Sequence, residues 1–401
     1  MKISKRKKAL IAGTCNLDIV PGFPETYENG SSLISEGKAI YLDNMRYILG
    51  GLVSNTGIAM DRLGADVVLS CRVGDDGIGN VVVEMMKKAV KEPIVIVAKD
   101  EITASNIVVT TQNMDRVFWL KQGASQNYNV NDMDDLLNRV PIDLFHFGYP
   151  TGMKCMFEDG GERLSTIYQH VHDRGITTTL DLSLPGKNSE SSYADWKSIL
   201  KKTLPHVDVF LPSIEETLFI FRRKMYDECL EKSGTSVSID YIDMNCLESI
   251  SKEILEMGVK VVVLKLGKFG LYVRTADKEK FAHVGSVGEM LDSTWYEREL
   301  LETPYVPEPF ISTNGTGDAA IGGFLTGMLQ GYSIEDTLKL ASGTAATRIQ
   351  SKNGSSDICS CEEIMRKASG GWSKISVDLK EGIWTYNHNL KCYMGKNDKL
   401  M

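Results

Sequence analysis

The 401-residue sequence predicts an α/β fold of three layers, in which a central, mostly parallel sheet is covered by helices on both faces. Three observations lead there. Strand-like runs alternate with amphipathic helical stretches along the chain, the pattern of parallel strands joined by crossover helices. A tight glycine turn in the C-terminal third runs straight into a helix of small apolar residues. A content of 42% hydrophobic and 24% charged residues supplies one large core, although length alone would allow two or three domains.

The basic start, Met1 to Lys8, could open a signal peptide, but Asn16 and Asp18 fall where a signal core must stay apolar. Ala9–Ala12 is therefore expected as a buried first strand. Strands are then expected at Asp66–Cys71, Ile94–Val97, Leu144–Phe147, Thr177–Leu182, Val207–Leu211 and Val259–Lys265, with helices at Val53–Leu63 and Gly161–Asp173 among the connections. Two stretches break the alternation. Asp18 to Leu49 lacks helical periodicity, and Ser105–Trp119 alternates through Ile107-Val108-Val109 and Val117-Phe118-Trp119. Segments 225–245 and 276–309 are polar and weakly patterned, and are expected as surface insertions. Residues 371–401 carry Trp372, Trp384 and Tyr386, too aromatic for a disordered end, and form an extension of unassigned role after a domain spanning 1–370.

A net charge of −8 and a pI near 5.5 give no basic face for nucleic acid. The eight cysteines are scattered, with only Cys359 and Cys361 close and no zinc spacing, so they are expected as reduced thiols of a cytoplasmic protein. No apolar run approaches the ~20 residues of a membrane helix. There is no Walker A sequence, and Gly74, Gly77 and Gly79 lack dinucleotide-binding spacing. His146, His170 and His172 show no metal arrangement.

The chemistry concentrates at Ser312-Thr313-Asn314-Gly315-Thr316-Gly317-Asp318, followed by Ala319-Ala320-Ile321-Gly322-Gly323. At a helix start the first N–H groups are unpaired and carry partial positive charge, so the backbone of Gly315, Thr316 and Gly317 can receive anionic oxygens. Asp318, on the first turn, can take a proton from a hydroxyl beside that anion hole. This combination suits phosphoryl transfer.

The stretch resembles the D-T-x-G-A-G-D signature of the ribokinase/PfkB superfamily of carbohydrate and nucleoside kinases. A second match lies upstream, in Gly50-Gly51, Asn55, Ala59, Leu63-Gly64 and Val73-Gly74-Asp75-Asp76-Gly77-Ile78-Gly79, which is similar to the family's N-terminal signature. The resemblance covers roughly residues 8 to 365. It implies a ribokinase-like fold in which segments of about 18–49 and 105–122 form a small β-sheet lid, often used for homodimerisation. It also implies ATP and Mg²⁺ as cofactors, Asp318 as catalytic base, and Asp18, Gly50, Gly51 and Asn55 as the sugar site. Glu216, in Leu211-Pro212-Ser213-Ile214-Glu215-Glu216, is similar to the family's L-P-N-x-x-E acid near Mg²⁺, with Ser213 in place of Asn. Lys265, Gly267 and Gly270 resemble the T-x-G-x-x-G turn near the nucleotide; Lys265 replaces the Thr and either reaches a phosphate or points away. Gly354 follows the small-residue helix Leu340–Arg348, where the family wraps adenine. Asp181 ends a strand like the Asp of the family's D-x-N-x-R, without that pattern's Arg. Ser312 replaces the opening Asp that helps hold a monovalent cation in many relatives, so dependence on that ion is expected to be weak.

The expected function is ATP-dependent phosphorylation of a hydroxymethyl group on a small sugar or sugar-like polyol. A nucleoside kinase of the same fold and a catalytically silent sugar sensor are the alternatives. Large lid residues facing the site would favour nucleosides, and Tyr27, Tyr41 and Phe118 leave that open. The partners are then the sugar and ATP, with neither nucleic acid nor membrane.

Overall fold

The structure, a computed structural model, describes residues 7–24, 37, 39–111, 114–234, 237, 239–242, 245–379 and 383–401. Tyr27 and parts of the 18–49 and 225–245 segments lie outside them. Fifteen strands are formed among the described residues: β1 (Lys8–Gly13), β2 (Asn16–Gly22), β3 (Asn44–Gly50), β4 (Asp66–Gly74), β5 (Glu92–Ala98), β6 (Ser105–Thr111), β7 (Met114–Lys121), β8 (Leu144–Gly148), β9 (Thr177–Asp181), β10 (Val209–Phe210), β11 (Val261–Lys265), β12 (Leu271–Thr275), β13 (Glu299–Glu302), β14 (Trp384–Asn387) and β15 (Cys392–Gly395). Eleven make one sheet in the order β14-β15-β13-β12-β11-β10-β9-β8-β1-β4-β5. From β5 to β11 every pairing is parallel, and from β11 to β14 every pairing is antiparallel. All seven strands expected from the sequence fall in the parallel part.

Side chains of successive strand residues point to opposite faces. In β1, Leu10 and Ala12 join an apolar cluster with Phe145, Phe147, Leu180 and Phe210, whereas Ala9 and Ile11 join another with Leu69, Val261 and Val263. Both faces of the sheet are thus covered, which makes the three layers. The remaining four strands form a separate sheet in the order β3-β2-β6-β7. It is the product of the two stretches that break the helical alternation.

Two expectations are corrected here. The 276–309 stretch is not a surface insertion: it supplies β13, and Val284, Val287, Leu291, Trp295, Leu300 and Leu301 are buried. Part of its charge is also paired inside: Arg298, 1% exposed, donates to Glu335 at 2.5 Å and to Asp398 at 2.9 Å. Residues 371–401 are likewise not appended to a finished domain. They add β14 and β15 to the sheet, and Asp398 belongs to that buried charge group.

Candidate active site

In an open parallel sheet, ligand-binding groups gather at the carboxyl ends of the strands. Here β1 leads into Thr14 and Cys15, β8 into Tyr149, β9 ends on Asp181 and β11 ends on Lys265. Gly13, Gly148 and Asp181 stand side by side in the register, so these ends are level. The Thr316–Leu329 helix begins beside them. Gly315 is its N-cap with φ 69°, a left-handed conformation that glycine adopts without strain, and Asp318 is the third helical residue. Ser312 closes the approach: its hydroxyl accepts the Asn314 N–H at 3.2 Å.

Asp318 is 4% exposed and holds donors on both oxygens. Tyr149 donates its hydroxyl to Oδ1 at 2.5 Å, and Asn55 donates its amide to Oδ2 at 2.9 Å. Burial pushes the Asp318 carboxyl above the usual carboxylate range, against the pull of Tyr149, Lys265, Asn55 and Arg348. Lys265 Nζ lies 2.6 Å from Asp181 Oδ1. Burial opposes its charge, but the carboxylates of Asp181, Glu216 and Asp318 outweigh that and raise its affinity for the proton. The second Asp181 oxygen is buried without a hydrogen-bond partner. Lys265 also runs along Gly317: a Cβ there would lie 3.5 Å from its Cδ. Glu216 is buried in a capping box, in which Ser213 N–H donates to Oε2 at 2.6 Å and Ser213 Oγ accepts the Glu216 N–H at 3.2 Å. The Thr316 hydroxyl is buried and unpartnered.

A cavity of about 360 Å³ joins this centre to the small sheet, with Asp18, Gly51, Asn55, Asn106, Tyr149, Asp318 and Gly315 in its lining. One row of that sheet runs Ile48, Asp18, Asn106, Leu120 across β3, β2, β6 and β7, which aims Asp18 and Leu120 at the same side. Asp18 Oδ1 accepts the amides of Asn16 at 2.5 Å and Asn106 at 2.8 Å. Burial raises the Asp18 pKa despite those two donors. Gly50 stands behind the pair rather than in the lining, since a Cβ there would sit 2.6 Å from Asp18 Oδ2. Gly51, with φ 83°, lets the Leu52–Arg62 helix start against Thr14, whose carbonyl oxygen a Cβ would approach to 2.6 Å.

The residues read as nucleotide-binding are not gathered in one place. Lys265 belongs to the charged centre. Gly267 and Gly270 shape the turn between β11 and β12. Gly354 lines a neighbouring cavity with Arg46, Ile48, Ser312 and Arg348, and Ser355 Oγ ties its turn to the Asn55 carbonyl at 2.8 Å. Three site residues escaped the sequence reading. Tyr149 was signalled only by its place after a parallel strand. Asn106 was hidden in the alternation of β6. Arg348, 5% exposed, lies in the last turn of the Ile334–Ile349 helix, and a Cβ on Gly315 would lie 3.4 Å from its Nε. Of the candidate base-facing residues, Phe118 lines the cavity at 40% exposed, whereas Tyr41 is 87% exposed and outside it.

Known proteins share this fold. The profile described as pfkB family carbohydrate kinase matches residues 25–360. An uncharacterized sugar kinase of Archaeoglobus fulgidus is 24% identical over 294 residues, 73% of this chain and 95% of its own. The ribokinase of Arabidopsis thaliana, solved with ribose and ATP, superposes with a TM-score of 0.65 at 16% identity, covering 91% of this chain and 99% of its own. A nucleoside kinase of Burkholderia thailandensis, solved with inosine, gives 0.60 at 18% identity, covering 92% and 100%. Among the described residues no helix is long and apolar enough to cross a membrane.

Proposed function

The chain belongs to the pfkB family of carbohydrate kinases, and we propose that it transfers the γ-phosphoryl group of ATP to a hydroxymethyl group of a small sugar or sugar-like polyol. The observation that carries this reading is the buried Asp318 carboxylate at a glycine-opened helix start, in one cavity with the buried Asp18. In this reading Asp18 accepts acceptor hydroxyls through Oδ2, the amides of Asn16 and Asn106 being on Oδ1. Asp318 takes the proton of the reacting hydroxyl as its oxygen bonds to the γ-phosphorus and ADP departs. The N–H groups of Gly315 and Gly317 receive the charge of the transferring group, with Lys265 beside them, whereas the Thr316 N–H, expected to share that role, donates to the Thr313 carbonyl at 3.3 Å.

Mg²⁺ fits the donor set loosely. Asp181 offers a buried oxygen without a partner and Glu216 lies within electrostatic reach of it, while no cluster of three or more metal-ligating side chains occurs among the described residues. These two carboxylates would hold waters of an ion bound mainly by the nucleotide phosphates, where it supplies charge neutralisation.

Phosphorylation of a nucleoside is the second reading, favoured by one observation: Phe118 and Leu120 of β7 give the cavity an apolar wall that a base could lie on. An ATP-consumption screen over pentoses, hexoses, keto-deoxy sugar acids and nucleosides decides between them, with Asp318→Asn as control. Turnover confined to sugars and lost in the variant is the expected result. Turnover of nucleosides alone selects the second reading, and undiminished turnover by the variant overturns Asp318 as base.

A further inference from the structure

Tyr149 is the least comfortable residue of the site. Its backbone has φ 64° and ψ 43°, a left-handed conformation that is costly for a large side chain. Pro150 follows it, and a residue before proline is normally driven to extended backbone. Strain of this kind persists only where the surroundings impose it, and it collects at functional sites. What it achieves here is visible in the contacts. The sharp turn at the end of β8 brings the side chain to the first turn of the Thr316–Leu329 helix, where its hydroxyl reaches Asp318 Oδ1 at 2.5 Å. Asn55, from the Leu52–Arg62 helix, reaches the other oxygen at 2.9 Å. Two rigid elements thus grip one carboxylate from two sides.

We propose that Tyr149 is a positioning residue for the base: its hydroxyl, donated to Oδ1 while Asn55 donates to Oδ2, fixes the plane in which the Asp318 carboxylate meets the acceptor hydroxyl. The inference rests on the reading of Asp318 as base. The geometry also sets the charge. The groups around the carboxylate are Lys265 from β11 and Arg348 from the Ile334–Ile349 helix, both cationic, with Asp181 at the end of β9 and Glu216 at the start of the Ile214–Phe221 helix opposing them. Tyr149 is held far from ionisation by burial and by Asp318, so it always donates and never competes for the negative charge. A donor to the charged form of an acid favours that form. With Tyr149 in place the buried base stays ionised to lower pH than burial alone would permit, while each carboxylate oxygen keeps a second lone pair for the substrate proton.

The test needs no substrate. Infrared difference spectra between the wild-type protein and Asp318→Asn isolate the Asp318 carboxyl band and its titration. The same difference taken in the Tyr149→Phe background should titrate about one pH unit higher, the effect of losing one strong hydrogen bond to the carboxylate. A midpoint that stays put, in a variant whose ring still packs and whose melting temperature is unchanged, overturns the proposal. A merely structural role would lower the melting temperature without moving the midpoint. Should Tyr149→Phe fail to fold, incorporation of fluorotyrosine, a more acidic donor, should move the midpoint down, and no movement overturns the proposal. Failure of the function reading shows elsewhere, as activity retained by Asp318→Asn in the acceptor screen.

Discussion

Asp318 has to be ionised to act as a base, and its burial resists ionisation. Because its pKa lies above the roughly 3.9 of a free aspartate, activity should fall as pH drops through that raised value, and the acid limb of kcat should lie above the ordinary carboxylate range. A pH profile flat down to the free-aspartate value would remove Asp318 from the proton-transfer step. Asp18 makes a different demand. Asp18→Ala should weaken acceptor binding by roughly 1.5–3 kcal/mol, the usual worth of a hydrogen bond to a charged group, and leave ATP binding nearly unchanged. Calorimetric titration of both ligands checks this, and equal losses would point to a folding defect. At Ser312 the carboxylate that helps hold a monovalent cation in many relatives is missing, and the Arg348 guanidinium already lies against the Gly315 turn. Rates in K⁺ and in a bulky organic cation at equal ionic strength should therefore differ by less than tenfold, about 1.4 kcal/mol of barrier. The place of a site residue was legible where it lies in a contiguous motif, as at Gly315–Asp318, which forms one helix start. Tyr149 and Arg348 are contributed by distant parts of the chain, and no spacing in the sequence announces that they converge.

At the scale of elements, the parallel strands were legible because strands buried on both faces read as short apolar runs between helices. The antiparallel edge was not. β13 begins on Glu299 and follows Arg298, and their burial is made possible by partners as remote as Asp398 and Glu335, which only the fold brings near. β14 and β15 are four residues each, too short for periodicity to register. The same edge holds a testable strain. Glu302 of β13 is fully buried, with Lys374 Nζ 2.6 Å from Oε1 and no hydrogen-bond partner for Oε2. Burial raises its pKa to about 7, against the pull of Lys374. The sign follows from the raised value: folding favours the protonated form, so this stability is present below the unfolded pKa of 4.5 and is lost as pH rises to about 7. Glu302→Gln, neutral throughout, should gain on the wild-type protein over that interval and stay ahead above it, by at most on the order of 3 kcal/mol. Thermal melts at acid and at alkaline pH provide the measurement, and a difference independent of pH would rule out Glu302 as its source.

For the molecule as a whole, the small sheet has two faces, one carrying the row with Asp18 and the other the row beside it. Tyr47, Ile19, Ile107 and Trp119 align across β3, β2, β6 and β7, one residue out of step with the row Ile48, Asp18, Asn106 and Leu120. The period of two sends the first row away from the cavity. Tyr47 is 54% and Trp119 53% exposed, with Met45 and Val117 exposed beside them. Apolar surface gathered on one face of a sheet marks an association site more often than isolated exposed residues do. The chain is therefore expected to be a homodimer joined through this face, and sedimentation at micromolar concentration should give twice the 44.4 kDa chain mass. Tyr47→Glu with Trp119→Glu should convert it to a monomer, because like charges would then meet across a two-fold axis. Val117 and Trp119 alternate along β7 with Phe118 and Leu120, so the strand that would make the interface also makes the cavity wall. Loss of the dimer should accordingly raise the KM for the acceptor and leave that for ATP little changed. A wild-type protein that sediments as a monomer, or a monomeric variant with both constants unaltered, would separate the apolar face from the function of the site.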